Sequence, residues 1–478
     1  MLCLWFLSSS GSALANEDMM LILNELKNQV KELKDQVKQS NTRINQLEKE
    51  LQQSRTQQQV ADNKKESSTS AGLPQPPPIT TATNKDVNTD KQPSKPAITV
   101  GDIKGTYKIP GTDTSVGLGG YVKMDTLFNS VSAGRNKLGN QILLFSEIPV
   151  DDSAKDHEQT TFHAKESRIW FKSFTPSQWG DINTFLSIDF FGDAATYTYT
   201  PRLRHAFGTI GNFLGGQTWT TFLNVAALPE SLDAIGVSAG AVYNFRQPLI
   251  RWTQPFSWNT MPMEFQFALE SPRSSIWVPT AFEGSGGASF VSSDDGQYPD
   301  IVARLNYNPE WGSLSLAALI RQIRYTQPNT AFQQERWGGG VNLAGRINTI
   351  GLDNIRFMLH YGNGGGRYIT TSNTFGDAAL DNDGNMNLIE TYGGMLSYQR
   401  WWNKQWRSSL TYGFSGSEQP NYVNPALTWQ VQSLQANLLW SPVREAMMGI
   451  EYIYATRQLL DDRDGWLHRI QLSARYNF

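Results

Sequence analysis

The chain ends in Arg469-Ile470-Gln471-Leu472-Ser473-Ala474-Arg475-Tyr476-Asn477-Phe478, ten residues in which polar and apolar side chains alternate. Successive side chains of a β-strand point to opposite faces, so this strand would carry one apolar and one polar face. A strand of a transmembrane barrel turns its apolar face to lipid and its polar face to a wet interior. Strands of β-sandwiches also alternate, so the fold class depends on whether the pattern recurs along the chain.

Alternating segments recur from residue 115 to the C-terminus. We predict sixteen strands, at 115–129, 161–175, 181–192, 201–208, 211–220, 246–255, 262–271, 299–308, 312–325, 335–348, 353–363, 389–401, 404–416, 428–441, 446–457 and 466–478. The connections alternate without exception between long ones, from 130–160 to 458–465, and short ones, such as 209–210. Outer-membrane barrels combine an even strand number with short periplasmic turns and long outer loops.

The composition separates the chain into two unlike parts. The 478 residues have a net charge of −3, a mean hydropathy of −0.42 and no run of 18 apolar residues, which excludes a helical membrane protein. The small net charge favours neither nucleic acid nor an anionic membrane surface as a partner. No aromatic residue occurs between Phe6 and Tyr107, so this first part cannot form a large core of its own.

The N-terminus resembles a secretory signal. Leu2 to Leu7 form a short apolar region, and Ala13-Leu14-Ala15 matches an A-x-A cleavage site, although a basic region before it is missing. We therefore expect residues 1–15 to be a signal peptide. Cys3 is the only cysteine, so cleavage after Ala15 would leave a mature chain without disulfides.

A heptad repeat follows and predicts a coiled coil over residues 16–55. Its apolar positions are Leu23, Val30, Val37, Ile44 and Leu51 at a, and Met19, Leu26, Leu33 and Leu47 at d. A single solvated amphipathic helix is the alternative, but short isolated helices are marginal in water. β-Branched a positions favour two strands, whereas Arg43-Ile44-Asn45-Gln46-Leu47-Glu48 resembles a motif of three-stranded coils. We favour the trimer because the second part of the chain supports it independently.

Residues 56–106 are rich in Pro, Ser, Thr and Gln and predict a disordered linker without a site. The predicted fold is therefore all-β: a 16-stranded antiparallel transmembrane β-barrel over residues 107–478, preceded by an α-helical coiled coil and a linker. An even strand number places both barrel ends, and the coil, at the periplasmic face.

Tryptophans accompany the predicted short turns. Trp179, Trp258 and Trp311 each follow a proline there, and four more flank two further turns, namely Trp401, Trp402, Trp406 and Trp440. Indoles prefer the headgroup level of a membrane, so these side chains would form a periplasmic aromatic girdle. The alternative is that they are ordinary core tryptophans, which would not follow the short turns.

Several segments carry a family resemblance. These are Gly120-Tyr121-Val122-Lys123-Met124-Asp125, Pro201-Arg202-Leu203-Arg204-His205-Ala206-Phe207-Gly208, Gly216-Gln217-Thr218-Trp219-Thr220-Thr221-Phe222 and Leu228-Pro229-Glu230. The series is similar to the DcaP-like porins of Gram-negative bacteria, and the terminal Phe478 resembles the C-terminal signature of outer-membrane barrels. The resemblance implies a signal peptide, a periplasmic coiled coil and a sixteen-stranded trimeric porin for small, mostly anionic solutes. Phosphate-selective porins also look related, but no lysine cluster marks that selectivity here.

The predicted inner face carries more bases than acids. The bases are Arg168, Lys172, Arg202, Arg204, Arg251, Arg304, Arg321, Arg346, Arg356, Arg407, Arg469 and Arg475, and the acids are Asp125, Asp189, Glu264, Glu270 and Glu451. Rings of like charge select ions of opposite sign, and guanidinium groups bind carboxylate or phosphate in a planar fork. Alternatively, the arginines pair with the acids and only keep the wall polar.

The long connection 221–245 is the third outer loop, which folds inward in general porins. We expect it to form the constriction, with Glu230 and Asp233 facing an arginine-bearing wall and setting a transverse field.

No catalytic constellation is apparent, so we predict neither an enzyme nor a cofactor or metal. Asp381-Asn382-Asp383-Gly384-Asn385 has the carboxylate spacing of a calcium loop but lacks glycine at the sixth position, and a tight Asx turn is the competing interpretation.

The sequence thus predicts an outer-membrane diffusion porin that prefers small anions such as carboxylates or phosphates. Its expected partners are outer-membrane lipid, lipopolysaccharide and two further copies of itself, and not nucleic acid. The alternative function is a barrel that conducts little and anchors the coiled coil as a structural or adhesive protein.

Overall fold

The structure is a computed structural model that describes residues 99–478 except 135–136, 152–156, 194–197, 236–237, 243–245, 284–287 and 370–373. The predicted signal peptide, the predicted coiled coil and residues 56–98 of the predicted linker lie outside the described residues. Residues 99–106 were assigned to the linker but form a turn, in which the Gly101 amide donates to the Thr106 carbonyl at 2.8 Å. The Asp102 amide also donates to Ser115 Oγ at 3.0 Å, so this turn belongs to the barrel domain.

Sixteen antiparallel strands close into one barrel, as predicted. They are β2 (Ser115–Asn129), the two segments β3 (Gln159–His163) and β4 (Arg168–Thr175) of one interrupted strand, β5 (Ile182–Asp189), β6 (Arg202–Ile210), β7 (Phe213–Trp219), β8 (Arg246–Trp258), β9 (Met261–Glu270), β12 (Asp300–Tyr307), β13 (Gly312–Thr326), β14 (Gln333–Asn348), β15 (Asn354–Asn363), β18 (Glu390–Trp401), β19 (Trp406–Glu418), β20 (Thr428–Trp440), β21 (Ala446–Leu459) and β22 (Asp464–Asn477). A two-residue strand, β1 (Tyr107–Lys108), pairs with the start of β2.

The first and last barrel strands close the cylinder. β2 pairs with β22 from Tyr121 opposite Asn477 to Asn129 opposite Arg469. Beyond this register, the amides of Gly120 and Phe478 each donate to the other's carbonyl, at 3.1 and 3.0 Å. The last residue of the chain thus takes part in closing the barrel.

The predicted strand 161–175 is interrupted at residues 164–167. The two segments on either side of the interruption, β3 and β4, both pair with β2. Between them, Ser167 Oγ accepts from the Lys123 amide at 3.0 Å and donates to the Lys123 carbonyl at 3.2 Å. The Ser167 hydroxyl group therefore takes the place of a neighbouring strand as the hydrogen-bond partner of the Lys123 backbone.

Burial along the strands is inverted relative to a soluble sheet. On β22, Ile470 and Leu472 are 44% and 41% exposed, whereas Arg469 and Gln471 are 0% and 1% exposed. Exposed large apolar side chains occur on strand after strand, including Leu118 on β2 and Leu359 on β15. The apolar face of the barrel is thus its outer face, and the polar face points inward.

Long and short connections alternate around the barrel, with two departures from the prediction. The long connection 327–332 has six residues, as many as the short turn 176–181. The last long connection has only residues 460–463, because β21 and β22 extend further than the sequence pattern indicates. It is shorter than the turn 176–181, so the expectation that connection length alone sorts the two ends is wrong at this hairpin.

The long connections contain a second sheet that was not predicted. It consists of β10 (Ser274–Val278), β11 (Ser289–Ser293), β16 (Ala378–Leu380) and β17 (Met386–Leu388), in the order β11-β10-β16-β17. β10 and β16 pair in parallel, and the sheet packs over a buried cluster that includes Ile276 and Tyr325. This structured cap unites the fourth and sixth long connections.

In the part of the chain that the structure describes, helical structure is confined to single turns. They are the 3₁₀ turns Leu138–Asn140, Phe145–Glu147, Val225–Ala227 and Gly366–Tyr368, and the α-helical turn α1 (Thr280–Glu283). Among the described residues, no helix has the length and apolar character needed to cross a membrane.

The tryptophans at the short turns mostly face outward. Trp179, Trp258 and Trp402 are exposed there, and Trp406 stacks on Trp440 with ring centroids 5.8 Å apart. Trp401 differs from the prediction, because its ring lies 5.1 Å from the Arg407 guanidinium and lines an internal cavity. The alternation of β18 points Trp401 inward and Trp402 outward.

A charge on the outer face of the barrel should destabilise it. Leu472 pairs with Thr126 and Ile450 in the middle of β22, so we expect Leu472→Arg to lower the free energy of unfolding in phospholipid bilayers by about 2–4 kcal/mol. Leu472→Phe is the matched control and should change it little. Equal urea-unfolding free energies for the Arg variant and the wild type would show that this face does not contact hydrocarbon.

Candidate functional site

The third long connection, residues 220–245, lies against the inner wall of the barrel. At its start, Asn224 Nδ2 donates to Ser315 Oγ on β13 at 2.9 Å. Further along, Arg356 Nη1 on β15 donates to the Leu228 carbonyl at 2.5 Å. The loop therefore contacts the inner faces of β13 and β15.

Two acids of this loop bind arginines of the wall. Glu230 accepts from Arg407 Nε and Nη2 at 2.7 and 2.6 Å, which is a bidentate pair. Asp233 lies 3.3 Å from Arg469 Nη1, and both side chains are fully buried. The backbone amide of Leu232 also donates to the Glu451 carboxylate on β21. The tip of the loop is thus held at three of four consecutive residues, Glu230, Leu232 and Asp233.

The end of the loop lies close to the wall because glycines occupy two wall positions that face it. Ala239 donates its amide to Ser433 Oγ at 2.9 Å. A methyl group on Gly240 would overlap the carbonyl of Gly394 on β18, and one on Gly413 of β19 would overlap Ser238. Close approach of two backbones therefore requires glycine at these positions.

A cavity of about 800 Å³ lies between the loop and the short turns. Its lining contains six arginines, namely Arg168, Arg346, Arg356, Arg407, Arg444 and Arg475, and a single acid, Glu230. The loop contributes the apolar side chains Val225, Leu228 and Ile235. The cavity therefore combines a cationic wall with a partly apolar loop edge.

Five of the predicted inner arginines pair with carboxylates. Arg202 and Arg204 both bind Asp189, at 2.7 and 2.5 Å. Arg321 binds Asp377 at 2.9 Å and Asp300 at 3.4 Å, and it has no exposed surface. Arg407 and Arg469 hold the loop acids described above. Arg321, Arg407 and Arg469 are thus neutralised by their carboxylate partners, whereas Arg202 and Arg204 share the one carboxylate of Asp189 and together keep a positive charge.

Two predicted arginines bind backbone carbonyls of the loop. Arg304 donates to Thr221 at 3.1 Å and also to Leu223, and Arg356 donates to Leu228. Both keep their charge, because a carbonyl does not neutralise a cation.

Four further predicted arginines make no ion pair with a described residue. Arg168 and Arg475 lie on the Tyr121 ring, 5.3 and 5.4 Å from its centroid, and Arg346 lies beside them in the cavity lining. Arg251 on β8 is half-buried and lies outside this cavity. The structure thus brings three unpaired arginines together and leaves one apart.

The predicted inner acids are all engaged. Asp125 is fully buried and lies 3.2 Å from Lys123 Nζ and 2.9 Å from Gln471 Nε2. Glu270 accepts from Thr220 Oγ1 and the Thr221 amide, both at 2.6 Å. Glu264 accepts from Asn306 Nδ2 at 2.8 Å. Lys172, the one predicted lysine, lies 5.5 Å from the Trp170 ring.

The charged residues of the interior that were missed include Lys123 and Arg444, and also Asp300 and Asp377, which bind Arg321. Lys123 binds Asp125 and Glu166, and its position two residues before Asp125 on β2 could have identified it by strand alternation. Arg444 lies in the turn 441–445, where alternation makes no prediction. Only the curvature of the closed barrel brings this turn under the loop.

No group of three or more His, Cys, Asp or Glu side chains among the described residues could hold a metal ion. The Asp381 carboxylate accepts the backbone amides of Asp383 and Asn385, at 2.9 and 2.8 Å, which is the geometry of an Asx turn. These bonds, led by that from the Asn385 amide, lower the pKa of Asp381. The carboxylate is thus used within its own loop.

The DcaP outer membrane protein family matches residues 83–254 and 278–478 of the chain. The chain belongs to this family. Its barrel is similar to the crystal structure of the outer membrane channel DcaP of Acinetobacter baumannii, with a TM-score of 0.64 and 22% identity over 76% of this chain and 97% of that chain. This likeness establishes the shared fold, and the family establishes an outer-membrane porin-type channel.

Two further solved structures are more distant. The anion-selective porin from Comamonas acidovorans has a TM-score of 0.46 and 12% identity, over 76% of this chain and all of that chain. The outer membrane protein OmpT of Vibrio cholerae, folded in vitro, has a TM-score of 0.47 and 10% identity, over 76% and 98%. A comparison with curated proteins gives no match.

The contact of Gly240 with the wall can be tested in this DcaP-family channel. We expect Gly240→Ala to push the loop toward the open lumen, and so to lower single-channel conductance and reduce stability by about 1–3 kcal/mol, as overpacking does. Gly215→Ala is the matched control, because a methyl group there meets no atom within 4 Å. If both variants conduct like the wild type, the loop does not narrow the pore.

Proposed function

We propose that this chain is a diffusion channel that passes small hydrophilic solutes and prefers anions such as carboxylates and phosphates. The observation that carries the proposal is the cavity under the third long connection, with six arginines and one acid in its lining. Since Glu230 and Arg407 neutralise each other, the remaining lining charge is positive.

The unpaired arginines supply the selectivity. Arg168, Arg346, Arg444 and Arg475 make no ion pair with a described residue and line the same cavity. Each exposed charge in water is weak and screened by salt over about 10 Å. Their summed field is stronger, because a narrow passage with low-dielectric walls focuses it and raises the local concentration of anions.

The third long connection contributes mainly shape. Its two acids each have an arginine partner on the wall, which argues against the strong transverse field that the sequence suggested. Val225, Leu228 and Ile235 instead give the loop an apolar edge opposite the arginines. A solute with a charged group and a short apolar body would fit between these two surfaces.

Reversal of single charges in the cavity should reduce anion preference. We expect the zero-current potential under a salt gradient to have the sign of an anion-selective channel, and to shift toward cation selectivity in Arg346→Glu and in Arg475→Glu. The shift should shrink at high salt, because screening weakens the field.

Arg463→Glu is the control for this measurement. Arg463 lies in the long connection 460–463, pairs with Asp461 and Asp151, and carries the same charge change far from the cavity. A cation-selective wild type, or an equal shift in the control, would contradict the proposal. Absence of conductance would favour the alternative function, a structural anchor.

We further infer that the chain is a homotrimer with its coiled coil, residues 16–55, in the periplasm. The heptad repeat supports self-association, and the start of β2 and the end of β22 lie at the same end of the barrel as the short turns.

Deletion of residues 16–55 should weaken the trimer without abolishing it, because porin barrels also associate through their walls. Native mass spectrometry over a detergent series would measure the trimer fraction, and a deletion of equal length within the linker is the control. A dimer in the wild type would refute the trimer and return the coil to the two-stranded interpretation.

A further inference from the structure

A second cavity, here called the rim cavity, lies at the outer end of β7, β8 and β9. Its volume is about 580 Å³. Three arginines line it, Arg246, Arg273 and Arg367, together with several serines and one acid, Asp294. The rim cavity lies where the third and fourth long connections leave the barrel, and its lining carries a positive net charge.

The register places the rim cavity just above the apolar outer band. Ile250 on β8 pairs with Leu269 on β9, and both are exposed on the outer face, at 62% and 38%. Pro248 and Ser271 lie two residues further out. The Ser271 amide donates a hydrogen bond to the Pro248 carbonyl at 3.0 Å.

Arg246, the first residue of β8, lies two residues beyond Pro248, and Arg273 lies in the following connection, three residues beyond the end of β9. Each two-residue step along a strand rises by about 7 Å. Arg246 therefore lies two steps, roughly 14 Å, beyond Ile250 along β8, which is the level of lipid headgroups.

Both arginines are held in position by neighbouring side chains. Arg246 lies 4.5 Å from the centroid of the Trp219 ring, which fixes the plane of its guanidinium group. The Arg273 carbonyl accepts from Arg367 Nη1 at 3.1 Å and also from the buried Arg321. Its backbone is therefore fixed, whereas its side chain is exposed.

Serine hydroxyl groups complete the lining. Ser274 and Ser275 are buried at the start of β10, and Ser292 lies opposite Ser275 on β11. A planar guanidinium fork with neighbouring hydroxyl groups matches the oxygen atoms of a phosphate group better than those of a neutral headgroup without phosphate.

We propose that the rim cavity binds a phosphate group, with Arg246 and Arg273 as its two principal ligands, and that the phosphate belongs to the glycolipid of the outer leaflet. The position at headgroup level on the outer face favours this source over a soluble phosphate. The site is separate from the arginine cavity of the proposed pore and does not depend on its selectivity.

The test uses the full chain in lipid nanodiscs. Its probes are lipid A with both phosphates, the same lipid without phosphates, and inorganic phosphate alone. We expect the phosphorylated lipid to bind at least roughly tenfold more tightly than the dephosphorylated one, since two charge-assisted hydrogen bonds are at stake. The double variant Arg246→Gln/Arg273→Gln should lose this preference.

Arg336→Gln is the matched control, because Arg336 is an exposed arginine at the same end of β14 and does not line the rim cavity. Retained heat-modifiability on gels checks that each variant is folded. Equal binding of the two lipids by the wild type, or equal loss in the control, would overturn the proposal. Binding of inorganic phosphate that the double variant loses, with no difference between the lipids, would assign the site to a soluble anion and overturn the lipid source.

Discussion

Closure of the barrel is the constraint on which the rest of the structure depends. Inside a membrane no water is available for an open strand edge, so every backbone donor and acceptor of the first and last strands must pair. β2 and β22 meet this requirement from Tyr121 to Asn129, and Gly120 and Phe478 extend it by one residue each. Once closed, the cylinder fixes which side chains face lipid and which face the interior.

The interior then has to accommodate many charges in limited space. It does so by pairing, since a buried charge without a partner is costly. Asp189 binds two arginines, and Arg321 binds two aspartates. The third long connection uses the same interaction to attach itself, through Asp233 and Arg469. Of the predicted arginines that make no ion pair with a described residue, Arg168, Arg346 and Arg475 line the cavity beside the loop.

The sequence predicted the strands closely because alternation is a local property. The predicted range 115–129 is identical to β2, and most other boundaries differ by one to three residues. The cap sheet was missed because β10 and β16 are about a hundred residues apart and pair in parallel, which no local pattern indicates. Trp401 was placed in the outer girdle because it flanks a short turn, although the two-residue period of β18 turns it inward.

The sequence by itself determined the fold class, the strand number and many of the inward-facing charges, because these follow from a two-residue period and from the order of long and short connections. Only the tertiary structure decided which of those charges are available. Arg321 and Arg346 both lie at inward-facing positions of their strands. Arg321 is fully buried between Asp300 and Asp377, whereas Arg346 lines the cavity. The partners of Arg321 come from other strands and loops, and a guanidinium group is neutralised by what lies near it in space, not by what precedes it in the chain.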